Sequence, residues 1–233
     1  MRLSKLAILF SLALFYSSAW AGHILPTPRP APFVGVLAID QTRLVVLDGE
    51  IGDGIGDDIS GQIKKLDRES ARPIYFVIAT RGGAVNEGEK IIEAMESARS
   101  KVICVVDHEA YSMGAVIATF CPRLYIQKFA SIMFHLGTWA ISGPPPITKA
   151  RLEWMARTDE VLDRNIAANL GITYEDYIHR IHDEWWLTSY EAASLGISDG
   201  VLNKLDYPTP EKHDKTILEI LTGGMFPNGV DTR

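Results

Sequence analysis

Short runs of β-branched and aromatic residues alternate with longer amphipathic stretches through the middle of this chain. Arg43-Leu-Val-Val-Leu47, Ile74-Tyr-Phe-Val-Ile-Ala79, Val102-Ile-Cys-Val-Val106 and Arg123-Leu-Tyr-Ile126 are too short for helices and rich in strand-forming side chains. Between them, Gly54 to Ser70 reads as a helix. Glu87 to Ser100 puts Ile91, Ala94, Met95 and Ala98 on one face, and Gly114 to Phe120 is a buried helix of small and apolar residues. Strands separated by helices predict an α/β fold with a mostly parallel sheet covered on both faces. Ligands on such sheets bind at the carboxyl ends of strands, where Arg81-Gly82-Gly83 and Ser112 both fall. Gly143-Pro144-Pro145-Pro146 then breaks the chain before a long helix, Thr148 to Leu170, with Leu152, Met155, Leu162, Ile166 and Leu170 at near-helical spacing. A shorter helix, Tyr174 to Asp183, follows Gly171.

The first 21 residues follow a different pattern. Arg2 and Lys5 precede the apolar run Leu6 to Tyr16, and Ala19-Trp20-Ala21 ends it, the layout of a secretory signal cleaved before Gly22. The apolar run is shorter than the roughly 20 residues a membrane span needs, so membrane contact is expected only if the signal stays uncleaved. Residues 22–32, with Pro26, Pro28 and Pro30, read as an extended arm; 33–205 as one folded domain; 206–233 as a C-terminal appendage. A chain of 233 residues with 47% hydrophobic content can bury one sizeable core. Its net charge of −6 becomes −8 when Arg2 and Lys5 leave with the signal, which argues against nucleic acid or anionic lipid as the main partner. Cys104 and Cys121 are too few for a disulfide scaffold. A helix axis lies about 10 Å from its sheet whereas a bridge needs Cα atoms within about 7 Å, so the spacing favours two buried free thiols.

Ser112 sits where the apolar strand turns into a helix, in His108-Glu109-Ala110-Tyr111-Ser112-Met113-Gly114-Ala115. A serine there is either an ordinary helix cap or a nucleophile displayed beside a helix N-terminus. A serine nucleophile needs a base and donors for the oxyanion. His135 ends the apolar run Ile132-Met133-Phe134, and reads as that base or as a partly buried structural histidine. Thr80-Arg81-Gly82-Gly83, between a strand and a helix, can bring backbone N–H groups to a substrate carbonyl, or is a plain tight turn. Asp183-Glu184 precedes Trp185-Trp186-Leu187-Thr188, offering a carboxylate anchored by bulky packing, or solvated charge.

Together these segments match one family. From about Arg43 to Leu202 the chain resembles the proteolytic subunit of the Clp protease. The resemblance rests on the Gly82-Gly83 turn, the Tyr111-Ser112-Met113-Gly114-Ala115 elbow, Met133-Phe134-His135, and Glu184-Trp185-Trp186-Leu187-Thr188-Ser189-Tyr190-Glu191-Ala192 running on to Gly196 and Asp199. It implies a serine peptidase on a crotonase-like fold, with Ser112 as nucleophile, His135 as general base and the N–H groups of Gly82 and Met113 as the oxyanion hole. It implies further that the helix from Thr148 is a protruding handle joining subunits into a homo-oligomer. The family's acidic position falls on Glu184, with Asp183 beside it. Gly83 and Arg81 stand where substrate would pass; Arg81 reads equally as a cation near the cleft or as a solvent-facing charge. An exported chain meets neither a cytoplasmic ATPase ring nor ATP, so the expected activity is ATPase-independent hydrolysis of short or unfolded polypeptides in the periplasm or outside the cell.

Two rival readings remain at this level: a Ser-Lys peptidase using Lys128 or Lys149, and a catalytically silent scaffold that binds peptides or assembles through the 148–170 helix. No segment calls for a cofactor, and His179-x-x-His182-Asp183 is a poor metal site for want of further ligands.

Overall fold

A computed structural model describes residues 33–207; the signal-like segment, the arm and most of the appendage lie outside these described residues. In chain order the elements are β1 (Phe33–Ala38), a 3₁₀ turn (Gln41–Arg43), β2 (Leu44–Asp48), α1 (Ile55–Glu69), β3 (Ile74–Thr80), α2 (Val85–Ser97) and β4 (Val102–Tyr111). There follow α3 (Met113–Thr119), β5 (Arg123–Gln127), β6 (Ser131–Phe134), α4 (Pro145–Leu170), α5 (Tyr174–Ile181), β7 (Trp185–Thr188), α6 (Ser189–Ser194) and β8 (Gly200–Asp206).

The main path of the sheet runs β1-β8-β5-β4-β3-β2, and β6 joins β4 to β7. Every pairing is parallel except the antiparallel β6·β7 ribbon. Alternation along β3 separates two cores. Ile74, Phe76 and Ile78 pack with Ile59 and Ile63 of α1, Ile91 and Met95 of α2, and Ile117 of α3. Val77 and Val105 face the other way, into a smaller cluster with Ile39, Leu202 and Leu205. That second cluster contains no helical residue, so on this face the cover of the mostly parallel sheet comes from other strands. The sheet curls, and β1 and β8 supply the apolar cover for strands on its far side.

β4 is longer than the apolar run that predicted it. The polar triplet Asp107-His108-Glu109 interrupts the hydrophobic pattern, yet the strand continues through it because β4 changes partner. Residues 103–106 pair with β5, and 109–111 pair with β6. A shift of register on the β3 side, where Ile78 faces Val106 and Thr80 faces Ala110, absorbs the extra residues. His108 is therefore a strand residue, exposed and paired with Asp107 at 2.9 Å.

The expectation of free thiols is also corrected: Cys104 and Cys121 form a disulfide, their Cα atoms 6.0 Å apart. Helix-to-sheet spacing does not govern this pair, because Cys121 lies beyond the end of α3, where the chain has already dropped back toward the sheet to start β5. Arg43, read from sequence as the first residue of a strand, is instead 1% exposed. Its guanidinium donates to the carbonyls of Leu66, Ser70, Arg72 and Pro73 and to Ser100 Oγ, closing the C-terminal end of α1.

Candidate active site

The turn from β4 into α3 holds Ser112 at φ 53°, ψ −123°, a conformation that non-glycine residues rarely adopt. Its backbone N–H donates to Met133 O at 2.8 Å, which ties the elbow to β6. The two readings of this serine separate here. Ser112 occupies the N-cap position of α3, but its side chain makes no capping bond. The hydroxyl lies instead 2.8 Å from His135 Nε2.

That meeting follows from register. β4 and β6 run parallel with Tyr111 opposite Met133, so the residues just past the ends of both strands emerge side by side. The glycine turn after β3 presses on the same elbow. A Cβ at Gly82 would stand 2.7 Å from Tyr111 O and 2.9 Å from Met113 N, at a backbone φ of +96°. Gly114 makes the reciprocal approach; a Cβ there would be 2.5 Å from Thr80 Cγ2. Only glycine fits at these two contacts, and sequence alone pointed to the first of them.

The carboxylates are placed differently. In the antiparallel ribbon Phe134 faces Trp185, so one further step sets Glu184 opposite His135 and Asp183 beyond it. Neither side chain is hydrogen-bonded to the imidazole. Glu184, at φ 64°, accepts a bond of 2.8 Å from Trp186 Nε1, and Asp183 bonds to His182 Nδ1 at 2.7 Å. The Trp186 ring in turn meets Tyr111 edge-on at 5.0 Å. The site thus holds a Ser-His dyad with both candidate acids turned away.

The donors for an oxyanion also need one correction. Gly82 is buried and its N–H is already given to Thr80 Oγ1 at 3.0 Å. Gly83 is exposed, and its N–H has no acceptor among the described residues; in the bridge to Ile51 it is Gly82 O and Ala84 N that take part. Met113 is the first residue of α3, where an N–H has no partner inside the helix. Arg81 points to solvent, its side chain 81% exposed and paired with Glu109 at 3.1 Å. Neither rival lysine contacts Ser112: Lys149 pairs with Glu153 at 3.8 Å, and Lys128 Nζ lies 5.2 Å from the Phe129 ring centroid. Among the described residues there is no cluster of three or more metal-ligating side chains.

A cavity of about 380 Å³ opens against Ser112 and His135 and runs between α3, α4 and α5. Asp159 and Asp163 of α4 and Tyr177 of α5 line it, a set that sequence reading did not single out. Burial, and then the neighbouring Asp159 carboxylate, push Asp163 up to about 6. The signal for these residues was legible in principle: Asp159 and Asp163 are one helical turn apart and share a face with Ile166.

A serine paired with a histidine on a strained strand-to-helix elbow, beside a glycine turn and an apolar-walled cavity, defines a serine hydrolase on an α/β frame. Residues 35–205 match the Clp protease family, and the chain belongs to that family, with its crotonase-like fold. It is 26% identical over 167 residues to the ATP-dependent Clp protease proteolytic subunit of Streptococcus gordonii, covering 70% of this chain and 85% of that protein. It is 31% identical over 166 residues to the ATP-dependent Clp protease proteolytic subunit 2 of Prochlorococcus marinus, covering 69% and 82%. Membership makes this chain a serine-type peptidase.

Proposed function

We propose that the chain is an exported serine peptidase that cleaves short or unfolded polypeptides without an ATPase. The observation that carries the catalytic part is the 2.8 Å contact between Ser112 Oγ and His135 Nε2, made by a hydroxyl that the helix end does not use. In this reading His135 Nε2 takes the Ser112 proton as Oγ attacks the scissile carbonyl. The oxyanion is held by the N–H groups of Met113 and Gly83, since Gly82 is already committed to Thr80. His135 then gives the proton to the leaving amine, and water hydrolyses the acyl-enzyme by the reverse roles. Glu184 is the better candidate for the third member because the β6·β7 register sets it opposite His135, once its carboxylate leaves Trp186.

The signal-like segment supports export, and so does the Cys104–Cys121 disulfide, a bond that persists in oxidising compartments. The relatives are named ATP-dependent, but an exported chain has no ATP to use. Assembly into a homo-oligomer through α4 is supported by Ile147, Leu152, Trp154 and Val161, large apolar side chains exposed on that one helix.

The test is fluorophosphonate labelling of the purified chain, followed by hydrolysis of an unfolded protein with no nucleotide or ATPase present. Labelling that disappears in Ser112→Ala, with turnover unaffected by ATP, is the expected result; no Ser112-dependent labelling overturns the peptidase reading. Glu184→Gln should lower kcat by a factor of about 100 or more, while Asp183→Asn leaves it nearly unchanged. Cell fractionation and the N-terminal sequence of the processed chain, expected to begin at Gly22, check export independently.

A further inference from the structure

The cavity beside the dyad is apolar at its walls and acidic inside. Val116, Phe134 and Ile166 supply the walls, and Asp159, Glu160, Asp163, Tyr174 and Tyr177 polar surface. These polar groups are unevenly committed. Asp159 accepts a hydrogen bond of 2.8 Å from Trp139 Nε1, and Glu160 is held at 2.7 Å by Arg164, whose guanidinium also lies 4.2 Å from the Tyr174 ring centroid. Asp163 has neither a hydrogen bond nor an ion pair with any described residue. Tyr177 is 2% exposed, its ring edge-on to Phe134, and its hydroxyl has no hydrogen-bond partner among the described residues. No lysine or arginine lines the cavity among the described residues. A half-enclosed carboxylate with no cation among the described residues stands beside a phenol whose hydroxyl opens on the same cavity, so both oxygens are available to a cationic group entering it.

We propose that this cavity receives the lysyl or arginyl side chain of the residue whose carbonyl Ser112 attacks, with Asp163 as its counter-ion. The methylene stem of such a side chain would lie along the apolar walls while its charged head reaches the carboxylates. Asp159 supplies the second negative charge, and Tyr177 an oxygen that can accept from the ammonium or guanidinium. A neutral leucyl or phenylalanyl side chain would fill the same space yet leave Asp163 and Tyr177 unpaired, and sites built for polar partners discriminate strongly on that ground. The upward displacement of Asp163, caused first by burial and then by Asp159, agrees with this, since a carboxylate so placed gains most when a cation enters. The proposal rests on Ser112 being the acylating nucleophile.

Two measurements separate its failure from failure of that reading. Benzamidine and its neutral isostere benzamide, titrated calorimetrically into Ser112→Ala and into Ser112→Ala/Asp163→Asn, probe the cavity without turnover. Benzamidine should bind at least tenfold more tightly than benzamide, and Asp163→Asn should remove most of that difference. Equal binding of the two, or a preference untouched by Asp163→Asn, overturns the proposal. Fluorogenic peptides differing only in arginine or leucine before the scissile bond then read out specificity. The kcat/KM ratio should favour arginine by tenfold or more and fall at least tenfold in Asp163→Asn. A ratio favouring leucine in the unsubstituted enzyme refutes the cation site while leaving the serine mechanism standing. Fluorophosphonate labelling bears on the mechanism alone.

Discussion

Reduction of the Cys104–Cys121 bond is the most quantitative test of how this fold is held. The two cysteines are 17 residues apart in sequence, and the loop they close contains Ser112 and all of α3. Loop-closure entropy for a ring of that size amounts to about 3 kcal/mol at 25 °C. For a domain of this length each kcal/mol moves Tm by about 2 to 4 °C, so full reduction should lower Tm by roughly 6 to 12 °C. Thermal unfolding followed by circular dichroism, with and without reductant, measures the shift; mass spectrometry of the alkylated protein verifies that both thiols are free. Cys104→Ala/Cys121→Ala serves as the control, because its Tm should be indifferent to reductant. A fully reduced protein whose Tm falls by less than about 2 °C would refute the entropic account. It would mean that the unfolded chain already holds residues 104–121 close together, or that the native state relaxes once the bond is cut.

The dyad makes a kinetic prediction: Ser112→Ala and His135→Ala should each remove most activity, and the double variant should be no worse than either alone, because the two groups act as a unit; additive losses in kcat/KM would separate them. Asp163 gives a pH signature. Its native value of about 6 lies above the ordinary aspartate value, so the folded state binds the extra proton between about pH 4 and 6 and loses stability as pH rises through that window. Asp163→Asn should therefore match the unsubstituted protein near pH 4 and exceed it at pH 7.5 in urea denaturation; an equal difference at both pH values rules this out. Arg43→Met deletes the donor for four carbonyls and Ser100 Oγ, and should destabilise the fold by about 3 kcal/mol. A loss under about 1 kcal/mol in the same assay would show that water replaces it. Trp186→Phe keeps an aromatic ring against Tyr111 but removes the N–H that holds Glu184; kcat should rise if Glu184 serves His135, and stay unchanged if it does not.

Much of the framework could be read from the chain. The runs at 74–79 and 123–126 became β3 and β5 almost as bounded, and the proline cluster marks the start of α4, although the helix begins at Pro145 rather than Thr148. These features are local, set by side chains within one element. What escaped were facts of tertiary pairing. β4 extends through three polar residues because β6 takes over from β5 as its partner, and no pattern within 107–111 encodes that exchange. Arg43 is buried because α1 ends above it and needs its carbonyls satisfied. The disulfide depended on where the chain goes after α3, not on helix spacing. Gly82 and Gly83 are indistinguishable as residues, and only the bond to Thr80 Oγ1 decides which N–H is free.

The members of the site differ in how firmly the fold holds them. Ser112 follows a strand flanked by β3 on one side and β5 then β6 on the other, and its strained backbone is fixed by the Gly82 turn and by Met133 O. His135 follows β6, which is held between β4 and β7, so the dyad inherits the rigidity of the parallel core. Glu184 precedes β7, which among the described residues pairs with β6 alone and lies at an edge of the sheet. Its side chain is exposed and answers to the nearest donor, Trp186, two residues along the same chain. A carboxylate so placed can exchange partners by a side-chain rotation, without disturbing the parallel strands. The geometry of attack is therefore a property of the core, whereas the position of the Glu184 carboxylate, the acid proposed to orient the imidazole, is set at a sheet edge. Changes on β7 or around Trp186 should consequently act on kcat with little effect on the Ser112–His135 contact or on global stability.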